Sequence, residues 1–175
     1  DLEYIVEKIE TYFRGTRTQK LPSAALVAVG DRNTTAQYIE QLVEFDEIFE
    51  NIFIVDTGMD AARLVEIEGK GFTLVDAKGN DEFEAFAKAG ADADFDAVVF
   101  YPLSGQWDTA DVPRLLLTLN RGYDMVVASR FMIGGGRRGR HGLVRRLGNR
   151  IYNLMVNLLF AANLSDSFSS FRAVR

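Results

Sequence analysis

The sequence predicts an α/β fold: a three-layer α/β/α sandwich around a mostly parallel central sheet. Three observations carry this. Five short apolar runs alternate with stretches whose apolar residues recur at helical spacing. The runs are apolar on both faces, as strands are when helices cover both sides of a parallel sheet. And 175 residues, 47% hydrophobic and 26% charged, are enough for one domain. A chain of that size buries roughly 70% of its extended surface and needs no metal or disulfide staple.

The elements follow in order. Leu2, Ile5, Val6, Ile9, Tyr12 and Phe13 have helical spacing, and Arg14 to Pro22 reads as a polar connector. Strands are expected at Ala24–Val29, Ile52–Asp56, Phe72–Val75, Ala97–Tyr101 and Met125–Ser129. Helices are expected at about Thr34–Phe49, Ala61–Ile67, Asp81–Ala89, Asp111–Leu119 and Leu143–Ala162. This alternation implies right-handed βαβ units in an open sheet, within a single domain spanning 1–175. No internal repeat or low-complexity tract interrupts it. The chain opens on Asp1 and stops abruptly at Arg175, which marks it as a candidate fragment. Ligands of such sheets bind beyond the carboxyl ends of the strands. The segments to read for chemistry are therefore Gly30–Asn33, Asp56–Asp60, Pro102–Asp108 and Arg130–Arg140.

Several chemistries are excluded or disfavoured at once. With no cysteine there is no disulfide, thiolate metal site or cysteine nucleophile. No apolar run approaches ~18 residues, so this stretch does not itself span a membrane. His141 is the only histidine, without neighbours to complete a zinc site, and no G-x-S-x-G elbow accompanies it. Asp92, Asp94 and Asp96 could hold a cation, but they precede a strand and read as a solvated acidic turn. Gly134 to Gly139 satisfies G-x-G-x-x-G after a late strand and with no acid about 20 residues on; it reads as a flexible loop.

Charge divides the chain. Residues 1–124 hold 24 acidic and 11 basic side chains, whereas residues 125–175 hold nine arginines and one acid, Asp166. Arg130, Arg137, Arg138, Arg140, Arg145, Arg146 and Arg150 crowd one stretch, and no carboxylate lies between Met125 and Ser165. Guanidinium forks bind phosphate in bidentate fashion, so an anionic partner is expected there. The bland alternative is a solvated basic face paired with the acidic half. Nucleic acid is not expected, because stacking aromatics do not interleave with the arginines. In the apolar helix that follows, Asn149, Asn153 and Asn157 form one narrow polar stripe. That helix is either buried in a core or lies in a bilayer interface with arginines against lipid phosphates.

These residues carry a family resemblance. Met125-Val-Val-Ala-Ser-Arg-Phe-Met-Ile-Gly-Gly-Gly136, the Arg145-Arg146 pair, the apolar helix and Ser165 to Arg175 resemble family 2 glycosyltransferases of the GT-A, nucleotide-diphospho-sugar transferase type. The subgroup most like them is that of the dolichyl- or polyprenyl-phosphate sugar transferases. Asp166, Ser169, Phe171 and Arg172 match the family's Asp-x-x-Ser-Gly-Phe-Arg, with Ser170 replacing the glycine. Asp56 and Gly58 in Ile54-Val-Asp-Thr-Gly-Met-Asp60 resemble the turn whose first aspartate helps bind the nucleotide base. Asn33 resembles the asparagine after the first strand, without the usual proline and glutamates. The resemblance covers residues 24–175 and weakens toward the amino terminus; residues 1–20 lie outside it.

The central strand departs from the family. Where the family reads Asp-Ala-Asp-Gly-Gln-His-Asp, this chain reads Pro102-Leu-Ser-Gly-Gln-Trp-Asp108. Gly105, Gln106 and Asp108 survive, but both acids that hold Mg²⁺ or Mn²⁺ in the family are gone. No metal ligand is therefore assigned and no cofactor expected. The resemblance implies sugar transfer from a nucleotide-sugar to a polyprenyl-phosphate acceptor by inverting displacement, with the protein cytoplasmic and peripheral at the membrane. Arg130, Asp166 and Arg172 would be catalytic, and Asp56, Gly58, Gly105, Gln106 and Asp108 would bind nucleotide. Arg137, Arg138, Arg145 and Arg146 would take acceptor phosphate. The alternative is a degenerate transferase that binds nucleotide, lipid phosphate or a partner without turnover.

Overall fold

Ala24–Gly30 is a run of small and branched apolar residues, and it forms the central strand, β1, buried on both faces. In this computed structural model, residues 23–49, 51–77, 95–105, 107–131 and 143–175 are described, the backbone alone for 143–146. The other strands are β2 (Asn51–Asp56), β3 (Thr73–Asp76), β4 (Ala97–Pro102), β5 (Met125–Val127) and β6 (Arg172–Val174). They make one six-stranded sheet in the order β3-β2-β1-β4-β6-β5. β1 lies parallel to both neighbours, with Leu26 opposite Ile52 and Val99, and β3 runs parallel to β2.

β6 was not expected. It runs antiparallel between β4 and β5, Arg172 lying opposite both Phe100 and Val127. Three residues with only Ala173 buried offer no periodicity to read. Its partners define it.

The helices are α1 (Ala36–Val43), α2 (Ala61–Gly69), α3 (Asp111–Leu119) and α4 (Leu143–Phe160). Ile39, Leu42, Ile67, Val112, Leu115, Leu116 and Leu119 place the first three on one face of the sheet, against Leu26, Ile54, Val99 and Phe171. Each fully buried Leu or Ile there contributes about 1.5–3 kcal/mol. On the opposite face Ala25, Val27, Phe53 and Val55 form a second buried cluster. Both faces of the sheet therefore carry buried residues. The expected helices within residues 1–20 and at Asp81–Ala89 lie outside the described residues.

Helix α1 is shorter than its apolar spacing implied. Regular helix stops at Val43, yet Phe45 and Phe49 remain only 4% and 3% exposed. A turn in which Ile48 N and Phe49 N donate to Phe45 O keeps both rings inward, 6.0 Å apart and edge to face. The spacing reported burial correctly, and burial outlasted the helix. At α2 the Asp60 side chain caps the amino end by accepting from Arg63 N at 2.9 Å. Helix α4 ends where Ala161 turns to a left-handed φ of 49°, a common way to stop a helix.

From β1 the chain moves outward to β2 and β3, and from β4 it moves the other way to β5. Adjacent strands whose connections diverge leave a crevice at their carboxyl ends. β6 enters the sheet from that same edge, because it is antiparallel to β4.

Candidate active site

The crevice is built from three loops. After β1, the Thr34 hydroxyl accepts from Asp31 N at 2.9 Å and donates to Leu103 O beyond β4 at 3.4 Å. Asp31 in turn holds Asn33 through both the backbone N–H and the side-chain amide. After β2, Asp56 is 2% exposed, and its Oδ1 accepts from Gly58 N at 2.8 Å and Met59 N at 2.6 Å. Gly58 can serve this turn because its φ of 132° strains any side-chain-bearing residue. Thr57 closes the loop onto β1, its N–H and hydroxyl both donating to Gly30 O.

After β4, Leu103 N donates to Val29 O at 2.8 Å and Leu103 is buried, while Ser104 is exposed. Gly105 has φ 65°, and a Cβ built there would lie 2.0 Å from the Tyr38 hydroxyl oxygen. Tyr38 is therefore the α1 residue that shapes this loop. Gly105→Ala is expected to destabilise the protein by about 1–3 kcal/mol, adding left-handed backbone strain to an overlap that the Tyr38 ring must move to relieve. Urea unfolding checks it; a loss below about 1 kcal/mol would mean the loop moves freely off Tyr38. Asp108 is exposed, and its Oδ1 accepts from Ala110 N, shaping the entry to α3. Gln106 lies outside the described residues.

The third loop joins β5 to the segment before β6. Asp166 is 1% exposed and accepts from Arg130 Nε at 2.7 Å, Nη2 at 3.0 Å and the Arg130 backbone N at 3.2 Å. The hydrogen bond to Asp166, more than its charge, raises the Arg130 pKa, while burial opposes it. The Arg130 guanidinium carbon also lies 5.9 Å from the centroid of Trp107. Trp107 packs at 5.4 Å on the fully buried Phe171, which meets Tyr101 at 5.3 Å. Arg172 starts β6 on the other face, its guanidinium carbon 5.8 Å from the Phe100 ring. Arg130 and Arg172 thus share the carboxyl edge of the sheet but not a face of it.

Of the remaining expected phosphate contacts, Arg137 and Arg138 lie outside the described residues. Arg145 and Arg146 fall in the first turn of α4. That helix is not a core helix in this chain: Leu147, Ile151, Leu154, Met155 and Leu158 line one exposed face, Leu158 at 81%. No helix among the described residues is long and apolar enough to cross a membrane.

The asparagine stripe has a use that the sequence did not disclose. Asn153 Nδ2 donates to Ser165 O at 2.7 Å, and its Oδ1 accepts from Ser167 N at 2.9 Å and from the Ser167 hydroxyl. Asn157 pairs both ways with the Leu164 backbone, at 2.8 and 2.9 Å. Tyr152 stacks on Phe168 at 4.4 Å. Four-residue recurrence of asparagine was the available signal; Tyr38 and Trp107 left none.

The end of β4 does not fit a divalent cation held by carboxylates. Pro102 has no side-chain oxygen, Leu103 is apolar and buried, and Ser104 offers a neutral hydroxyl. No group of three or more potential ligands gathers among the described residues.

The six-stranded, mostly parallel sheet has the GT-A fold. In sequence the chain is similar to the glycosyltransferase AglJ of Haloferax volcanii, 25% identical over 154 residues, 87% of this chain and 50% of that protein. In fold it is similar to glucosyl-3-phosphoglycerate synthase from Mycobacterium tuberculosis. The UDP complex of that enzyme superposes with TM-score 0.62, and the complex with Mn²⁺ and UDP-glucose with TM-score 0.61, each at 16% identity. Each match covers 87% of this chain and 56% of that one. No family model matches. The chain spans about half the length of the relatives it matches.

Proposed function

We propose that this chain transfers a sugar from a nucleotide-sugar to a polyprenyl-phosphate acceptor, working peripherally at the cytoplasmic face of a membrane. The observation that carries the lipid part is the exposed apolar face of α4 beside an arginine-rich, acid-free stretch. A helix of that kind buries its leucines in the headgroup boundary and sets its arginines against phosphate. The nucleotide half would sit over the β1, β2 and β4 loops, near Asp56, Gly58, Gly105, Gln106 and Asp108. Arg137, Arg138, Arg145, Arg146 and Arg172 would meet phosphate, with Arg130 held by Asp166 at the edge of the reaction site.

The chemistry asks little of the protein at the acceptor. A phosphate monoester with a second pKa near ~6 is already an anion at neutral pH, so no general base is needed. The acceptor oxygen attacks the anomeric carbon as the bond to the nucleotide diphosphate breaks, with inversion. Arginine charge, rather than a cation held at Pro102 and Ser104, would stabilise the leaving diphosphate.

The test incubates the protein with radiolabelled nucleotide-sugars and a polyprenyl phosphate in anionic vesicles, in chelator. Label should move into the lipid extract. Label appearing only on a soluble acceptor such as phosphoglycerate would overturn the lipid assignment. Nucleotide binding without transfer to any acceptor would make the chain a binding module.

A further inference from the structure

We propose that Asn153 is a positioning residue through which α4 sets the buried Arg130–Asp166 pair, so that covering the apolar face of α4 reorganises the nucleotide crevice. The proposal rests on the membrane reading above and adds regulation to it. Asp166 sits between the two residues that Asn153 grips: the amide donates to Ser165 O and accepts from Ser167 N. An asparagine suits this task because one side chain offers a donor and an acceptor together. Asp166 then takes two donors of the Arg130 fork, and Arg130 lies against Trp107 in the β4 loop. The contacts run without a break from α4 to the crevice.

The two faces of α4 make this a switch rather than a strut. Asn153 and Asn157 face the 164–167 segment, while Leu147, Ile151, Leu154, Met155 and Leu158 are exposed. A lipid surface that takes the leucines fixes the rotation in which the asparagines point at the segment. Without the Asn153 contacts, Ser165 and Ser167 no longer hold Asp166 from both sides. Lipid and nucleotide therefore favour the same arrangement, and each must raise the affinity of the other by the same factor.

Trp107 is the sole tryptophan and touches Arg130, so its fluorescence reads the pair directly. The experiment adds phosphatidylglycerol vesicles to the wild type, to Asn153→Ala and to a Leu154→Asp/Leu158→Asp variant, following vesicle binding by sedimentation, Trp107 emission and UDP affinity. In the wild type, vesicles should shift Trp107 emission and tighten UDP binding by roughly fivefold. Asn153→Ala should still bind vesicles but show neither response. The double aspartate variant should lose vesicle binding and keep the vesicle-free UDP affinity of the wild type. If the wild type binds vesicles and UDP with no change in either readout, the coupling is refuted while the membrane reading stands. If it binds no vesicles, both fall. If Asn153→Ala keeps the full response, Asn153 is not the link, and should that variant not fold, the wild type and the double aspartate variant still decide the coupling.

Discussion

Asp166→Asn is expected to lower the melting temperature by roughly 6–20 °C, the largest effect on stability that one isosteric change should produce here. The substitution keeps the volume and removes the charge opposite Arg130, whose side chain is 14% exposed against 1% for Asp166. Breaking a buried pair from one side strands the other charge, which costs about 3–5 kcal/mol. For a chain of this length each kcal/mol moves the midpoint by about 2–4 °C. Arg130→Met in the same background should recover part of the loss, since no charge is then left uncompensated. The effect should be flat with pH over the working range. Arg130 has a raised pKa, so its contribution is complete below the unfolded value and is lost only in strong alkali. Thermal unfolding of the two variants decides the matter; a fall of less than about 2 °C for Asp166→Asn would mean that solvent already screens the pair.

The parallel half of the fold was legible for a simple reason. β1 and β2 are buried on both faces and β4 alternates buried with half-buried residues, so all three are written in apolar residues. Expected and observed strands agree there to within one residue. β6 was illegible because three residues carry no period, and its place between β4 and β5 depends on partners distant in sequence. At α1, apolar spacing extended the expected helix through Phe49, since a core-facing turn and a helix end bury their residues alike.

The site was legible as composition and only partly as geometry. Arg130 and Asp166 were picked out by resemblance, but their mutual hydrogen bonds join positions 36 residues apart, and no local pattern encodes such a pair. The asparagine stripe was visible, whereas its partners, the backbone groups of Leu164, Ser165 and Ser167, are chemically anonymous in a sequence. For α4 the sequence left core and interface both open, because an apolar stripe states what a face prefers and not what covers it. Leu154 and Leu158 are exposed, so the described residues do not cover that face.

Restoring carboxylates at the end of β4 should reverse how nucleotide binding responds to metal. Pro102 and Ser104 stand where the resembling family has two acids, and both precede the Gly105 turn that Tyr38 shapes. The wild type is expected to bind UDP with little response to Mn²⁺, since a proline and a neutral hydroxyl cannot compete with water for a divalent cation. In Pro102→Asp/Ser104→Asp, two new negative charges would face the diphosphate. At ~6 Å and an effective dielectric of ~20, each pair of unit charges repels by about 3 kcal/mol before screening. Without metal, UDP binding should therefore weaken by more than about tenfold. With Mn²⁺ the sign should invert, because the cation gains carboxylate oxygens on one side and phosphate oxygens on the other. Titration calorimetry of both proteins, with Mn²⁺ and with chelator, supplies the four affinities. A wild type whose UDP affinity already rises strongly with Mn²⁺ would show that other oxygens hold the metal and that arginine charge is not its replacement.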